Sequence, residues 1–256
     1  MRVVIKIGTS TLAHKTGLLN ILRVEELCKV MSDLRNAGHE VIMVSSGAIG
    51  MGVGKLSLNE KPKDIPTKQA AAAVGQCELM YTYDRLFSKY NHTVAQILIT
   101  GDDIEHADRK QNFKNTMRRL LELSAIPIIN ENDSISTNEI EIGDNDTLGA
   151  IVATAVEADL LIILSDINGL YTGDPKKDPN AKLLHTVSEI TPEIEKMVGG
   201  AGSALGTGGM ITKIKAAKIV TPEGIDMVIA NGEKPLSLYD IVAGKDVGTR
   251  FLGKAN

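Results

Sequence analysis

Short apolar runs and longer stretches of helical period alternate along the chain. Residues 3–7 form a short apolar run, rich in β-branched side chains and closed by glycine, which predicts a strand, and 40–44, 94–99, 126–129, 160–164, 225–229 and 249–252 are read as further strands. Between them apolar residues recur at helical spacing over 24–34, 67–89, 109–124, 146–156, 212–220 and, briefly, 238–242. Gly38 closes the first of these helices. The run 160–164 is uninterrupted, so its strand is expected to be buried on both faces. Strands alternating with helices of this length imply right-handed crossovers and an α/β fold, a mostly parallel central sheet covered on both sides. Residues 134–142 alternate polar and apolar positions and predict a surface hairpin. A polar loop spans 172–182 with two Asp-Pro pairs, and a glycine-rich loop spans 199–209.

One residue breaks the pattern of the first strand. Lys6 sets an ammonium among Val3, Val4, Ile5 and Ile7, where a buried cation is costly unless an anion meets it. Either it snorkels out at the strand end, or it points at a negatively charged ligand. Gly8-Thr9-Ser10 follows, with the small residue and hydroxyls that suit a phosphate or carboxylate. In sheets of this kind ligands sit at the carboxyl ends of the strands, where Lys6, Ser46, Asn130 and Ser165 all fall.

Four further segments are candidates for chemistry. Ser45-Ser46-Gly47-Ala48 places backbone N–H groups and two hydroxyls where a strand turns into a helix, a geometry that binds anions or simply caps the helix. Asn130-Glu131-Asn132-Asp133 and Gly143-Asp144-Asn145-Asp146 bracket the predicted hairpin. Each alone reads as a tight turn, yet carboxylates gathered in numbers repel unless they meet a cation. Thr207-Gly208-Gly209-Met210-Ile211-Thr212-Lys213 opens a helix with a lysine on its first turn, but lacks the Walker spacing. No Gly-x-Gly-x-x-Gly follows the first strand, which excludes the usual dinucleotide fingerprint. The run Gln69-Ala70-Ala71-Ala72-Ala73-Val74-Gly75-Gln76 is small enough for a helix or sheet to pack closely on it.

Composition narrows the field. The 256 residues suit one large α/β core or two small ones, and no repeat or linker marks a boundary, so a single domain over 1–256 is expected. A net charge of −4 with interspersed signs argues against nucleic acid as a partner. No apolar stretch is long enough to span a membrane and the N-terminus enters a strand directly, so a cytoplasmic protein is expected. Cys28 and Cys77 lie in helical segments without metal-ligand spacing and are expected to be buried free thiols. The five histidines are scattered, which sets aside zinc sites and a Ser-His-Asp hydrolase.

In their order, Lys6-Ile7-Gly8-Thr9-Ser10, Ser45 to Ile49, Lys68 to Gln76, Ile128 to Asp133, Gly143 to Asp146, Ser165-Asp166 with Gly169-Leu170-Tyr171-Thr172, and Thr207 to Lys213 resemble the amino acid kinase family over essentially the whole chain. The resemblance implies a three-layer αβα sandwich that transfers the γ-phosphoryl group of ATP, with Mg²⁺, to the side-chain carboxylate of L-glutamate. The product would be glutamyl 5-phosphate, the first intermediate towards proline. It further implies that Lys6 and Lys213 neutralise the phosphoryl group in flight and that Asp146 orients both lysines. Ser46, Asp133 and Asn145 would bind glutamate, with Asn130 and Asp144 close by. Lys6, Ser165, Asp166, Thr207, Gly208, Gly209, Met210, Ile211, Thr212 and Lys213 would hold ATP, although Ile211 stands where a small polar residue is expected. A homo-oligomer and feedback inhibition by proline are also implied. The C-terminal domain of RNA-modification type that many members carry is not expected in this chain.

A glutamate side-chain carboxyl ordinarily titrates near a pKa of about 4.3, so as an acceptor it is ionised at neutral pH and no general base is needed. Charge also bears on the choice of acceptor. A free α-ammonium suits Asp133 and Asp144, whereas an N-acetylated amine would leave them unpaired and a nucleoside monophosphate would call for arginines absent from these turns. Another carboxylate kinase, such as an acetylglutamate kinase or aspartokinase, and a sensor that binds without catalysis remain the alternatives.

Overall fold

The computed structural model describes residues 1–14, 18–136, 145–175, 177–199 and 209–254. In chain order its elements are β1 (Arg2–Ile7), α1 (Thr9–Leu12), α2 (Ile21–Asn36), β2 (Glu40–Val44), α3 (Ala48–Lys55), α4 (Ile65–Ser88), β3 (Val94–Ile99), α5 (Gly101–Glu105), α6 (Ala107–Glu122) and β4 (Ile126–Glu131). There follow α7 (Asn145–Ala155), β5 (Leu160–Ser165), β6 (Thr186–Val187), α8 (Pro192–Gly199), α9 (Met210–Val220), a 3₁₀ turn (Thr221–Glu223), β7 (Asp226–Asn231), α10 (Ser237–Val242) and β8 (Thr249–Phe251). The strands join in one sheet of order β3-β4-β2-β1-β5-β7-β8-β6. The pairs from β3 to β7 are parallel, and β8 runs antiparallel to β7. The expected mostly parallel α/β architecture is present.

Strand alternation divides the core into two layers. Val3, Ile5 and Ile7 point to one face with Met43 and Ile162, packed under α2, α4 and α10. Val4 points to the other with Ile42, Val44, Leu161 and Ile163, under α6, α7 and α9. Each fully buried aliphatic side chain contributes about 2 kcal/mol, so the register is firmly held, since a slip by one residue would turn every one of them over. Lys6 shares the parity of Val4 and therefore lies beneath α7 and α9. The helix α7 leaves it room: a Cβ on Gly149 would sit 3.3 Å from the Lys6 Cβ.

The helix α4 begins where Asp64 accepts the Thr67 amide at 2.9 Å and Pro66 occupies the first turn. Its run of small residues packs on α3. A Cβ on Gly52 would fall 1.8 Å from the Ala71 carbonyl, and one on Gly75 1.8 Å from that of Ala48, so only glycine permits this crossing. Gly47, with φ 93°, turns the chain from β2 into α3 through left-handed backbone that disfavours a side chain.

Several elements differ from expectation. The residues Thr9–Leu12 after Gly8 form a one-turn helix, and α4 and α9 each start two residues earlier than their apolar pattern. Neither β6 nor α8 is among the predicted elements; α8 is only eight residues long, and β6 is two residues held by pairing with β8. Cys28 is buried as expected, but Cys77 is exposed. It lies one residue past buried Gln76, about 100° around the helix, where it is open to solvent. The predicted hairpin falls largely outside the described residues; Ser134 and Ile135 form a turn at its start.

Candidate active site

The carboxyl ends of β1, β2, β4 and β5 meet the first turns of α7 and α9 at one place. Lys6 leaves β1 and its Nζ lies 2.7 Å from Asp146 Oδ1. Lys213, on the first turn of α9, brings its Nζ to 3.0 Å from the other oxygen, Oδ2. The Thr212 hydroxyl donates to the same Oδ2 at 2.7 Å. All four residues are buried, with Asp146 only 1% exposed. Burial alone pushes the Asp146 carboxyl up, but the two lysine ammonium groups and the hydrogen bonds from Lys6 and Thr212 outweigh it, so the group is held below the usual carboxylate range. The ammonium in the first strand is thus met by an anion, and it does not snorkel.

One residue earlier in α7 a neutral network begins. Asn145 donates from Nδ2 to the Ser45 carbonyl at 2.7 Å, the Ser46 hydroxyl at 2.9 Å and Asn130 Oδ1 at 3.2 Å. Asn130 in turn donates to Gln76 Oε1 at 2.9 Å, linking β4 to α4. Ser45 is fixed from behind, its hydroxyl 2.8 Å from that of fully buried Tyr83. Asn145 Oδ1 is buried with no hydrogen-bond partner among the described residues, at the junction of the two networks.

Beside this network a cleft of about 350 Å³ opens between α4 and the ends of β3 and β4, with Gln76, Cys77, Glu131, Asn132, Asp133 and Ser134 among its walls. Asp133 is buried. Burial raises the Glu131 carboxyl, while the hydroxyl of Ser136, 2.8 Å away, lowers it in part. Ser165 and Asp166 stand at the end of β5, one strand from Lys6, with the Ser165 hydroxyl donating to Asp166 at 3.1 Å. Gly232 donates its amide to the Ser165 carbonyl, which closes the end of β7 onto the same edge.

The candidates taken from sequence therefore fall into three adjoining groups: Lys6, Asp146, Thr212 and Lys213; Ser46, Asn130 and Asn145 with Asp133 near by; and Ser165 with Asp166. Gly209, Met210 and Ile211 lead into α9, where Met210 packs on the core and Ile211 is 45% exposed, facing away from the lysines. Asp144, Thr207 and Gly208 lie outside the described residues. Gln76 and Tyr83 were not legible as site residues. Gln76 had one signal, a polar amide on the buried stripe of an otherwise small-residue helix. Among the described residues no group of three or more His, Cys, Asp or Glu side chains is placed to hold a metal ion.

Known proteins match this chain over most of its length. The amino acid kinase family matches residues 1–231. Glutamate 5-kinase from Clostridium perfringens (strain 13 / Type A) is 56% identical over 257 residues, covering 99% of this chain and 96% of that protein. Glutamate 5-kinase from Clostridium acetobutylicum is 54% identical over 253 residues, covering 99% and 95%. Among solved structures, an isopentenyl phosphate kinase superposes with a TM-score of 0.66 at 18% identity, over 98% of this chain and 100% of that one. UMP kinase from Ureaplasma parvum gives 0.64 at 16%, over 98% of each chain. These two show the shared fold. The chain belongs to the amino acid kinase family and, within it, to the group of the glutamate 5-kinases.

Proposed function

We propose that this chain transfers the γ-phosphoryl group of MgATP to the side-chain carboxylate of L-glutamate, giving glutamyl 5-phosphate and ADP, the first step towards proline. The observation that carries the reading is the pair of lysines, 207 positions apart in sequence, that share the carboxylate of Asp146 at 2.7 and 3.0 Å. An acceptor that is already an anion needs no base; it needs its repulsion from the phosphates cancelled and its oxygen held in line. Lys6 and Lys213 supply the charge and Asp146 keeps both ammonium groups at one point. Ser46 and Asn145, tied to each other and to Asn130, hold the acceptor, and the buried acid of Asp133 suits its α-ammonium. Ser165, Asp166 and residues 207–213 hold the nucleotide, Thr212 through its backbone alone. Magnesium enters with the nucleotide as MgATP, a cation carried by phosphates and water.

Family resemblance further supports residues 1–256 acting as one kinase domain, a homo-oligomer, inhibition by proline and a cytoplasmic setting. Light scattering and a proline titration of the purified chain test assembly and inhibition. Among the described residues no helix is long and apolar enough to cross a membrane.

The decisive experiment measures ADP release with glutamate, N-acetylglutamate and aspartate as acceptors and traps the acyl phosphate with hydroxylamine. Turnover is expected with glutamate. Turnover of N-acetylglutamate alone would reassign the acceptor, and binding of both ligands without hydroxamate would make the chain a sensor.

A further inference from the structure

The catalytic carboxylate has a third donor, and it differs in kind from the two lysines. Lys6 and Lys213 reach Asp146 through long flexible stems. The Thr212 hydroxyl reaches it at 2.7 Å from a β-branched side chain with a single torsion, fixed on the first turn of α9. The hydroxyl has one hydrogen and two acceptors within range, Asp146 Oδ2 and the Gly209 carbonyl at 2.8 Å. That carbonyl already receives the Thr212 amide at 3.2 Å, and a carboxylate is the stronger acceptor, so the hydrogen goes to Asp146.

During transfer the lysine ammonium groups must turn towards the phosphoryl oxygens. Each turn weakens a hydrogen bond to a carboxylate that is 1% exposed and has little access to water. The short hydroxyl arm has no such second duty. It ties α9, which carries Lys213, to α7, which carries Asp146, and the two helices pack side by side.

We propose that Thr212 is a positioning residue that holds the Asp146 carboxylate in place while Lys6 and Lys213 engage the phosphoryl group, and that its hydroxyl serves the aspartate rather than the nucleotide. The inference rests on the kinase reading above. It assigns the hydroxyl a role in the rate of transfer and none in nucleotide affinity.

The test compares Thr212→Val with Thr212→Ser in the full chain, by glutamate-dependent ADP release at saturating substrates and by calorimetric binding of a non-hydrolysable ATP analogue with Mg²⁺. Loss of one hydrogen bond to a charged group predicts that the valine variant loses about 10-fold or more in kcat while binding the analogue within about threefold of wild type. The serine variant, which keeps the hydroxyl, should recover to within about threefold. A valine variant with wild-type kcat would overturn the proposal. So would one that loses analogue affinity and keeps its rate, or a serine variant as impaired as valine. Thr212→Ala removes the same hydroxyl without a bulkier isostere and is judged identically if the valine variant does not fold; if neither folds, the hydroxyl is architectural and the proposal falls. Wild type without glutamate-dependent ADP release would instead sink the kinase reading, a result separable from any of these.

Discussion

Asn145 and Asp146 adjoin at the start of α7, yet they anchor two unlike halves of the site. Asp146 is the centre of an ionic node that gathers two ammonium groups and a hydroxyl. Asn145 is the centre of a neutral relay of amides and hydroxyls running through Ser46, Asn130 and Gln76. On the proposed reading, the difference follows from what each half must do. A moving phosphoryl group needs charge that is strong and can be redirected, whereas an acceptor needs geometry that does not move. Buried ion pairs supply the first at a large desolvation cost, and a fully linked amide network supplies the second without carrying net charge.

Removing the centre of the ionic node should have the largest effect. Asp146→Ala leaves two buried ammonium groups around a vacated anion, and the expected loss of stability is about 3–5 kcal/mol, read from the shift in urea midpoint. The contribution also has a pH signature. Because the folded-state pKa of Asp146 is depressed, its stabilisation is present above the unfolded carboxylate value of about 3.9 and is lost as pH falls through the lower folded value. Wild type should therefore lose stability in that acid window more steeply than Asp146→Asn. Equal slopes would mean that the carboxylate is not ionised and paired in the folded protein.

The lysines come next. Lys6→Ala or Lys213→Ala should lower kcat by at least about 100-fold, as loss of charge stabilisation in a phosphoryl transfer commonly does. The two variants should be alike, since both ammonium groups contact the same carboxylate. If one of them turned over at the wild-type rate, that lysine would leave the mechanism and the node would be half structural.

How much of this contrast is written in the sequence depends on which interaction decides each element. The strands β1 and β5 are legible because a short aliphatic run buried on both faces has few other uses, and Lys6 is conspicuous by interrupting one. Thr186–Val187 has no such run; β8 makes it a strand by offering backbone partners that are far away in sequence. Pro192 and Glu193 carry the start signals of α8, but a helix of eight residues is too short for its period to stand out. In the site, residue types that stand for charge were readable. Gln76 was not, because an amide in a run of alanines becomes a site residue only when α3 and α4 cross closely enough, at Gly52 and Gly75, to bring it to Asn130. The acceptor of the Thr212 hydroxyl was hidden for a similar reason: it is set by the packing of α7 on α9.

In the neutral half, effects should be smaller and fall on binding. Asn145→Ala removes three hydrogen bonds to Ser45, Ser46 and Asn130, and the KM for glutamate should rise by about 10-fold with the KM for ATP little changed. A rise confined to ATP would place the nucleotide, rather than the acceptor, against this network. A change in kcat as large as that of the lysine variants would erase the distinction between the two halves, because the amides would then be acting on the transition state.

The finest probe lies behind the relay. The Tyr83 hydroxyl meets Ser45 in a site from which water is excluded, and burial drives its pKa up despite the Ser45 hydrogen bond, so it stays a neutral phenol across the physiological range. Tyr83→Phe keeps the ring in its place among Leu79 and Phe87 and deletes only that contact. The Ser45 hydroxyl keeps a second acceptor, the Ser46 carbonyl at 3.2 Å, so the expected cost is about 1 kcal/mol of stability and less than about a threefold change in the KM for glutamate. Urea unfolding and steady-state kinetics on the same preparation separate the two quantities. If the phenylalanine variant instead raised KM as much as Asn145→Ala, the acceptor's geometry would be set from the far side of the sheet through α4, and the neutral network would extend a full layer deeper into the protein than the amides alone.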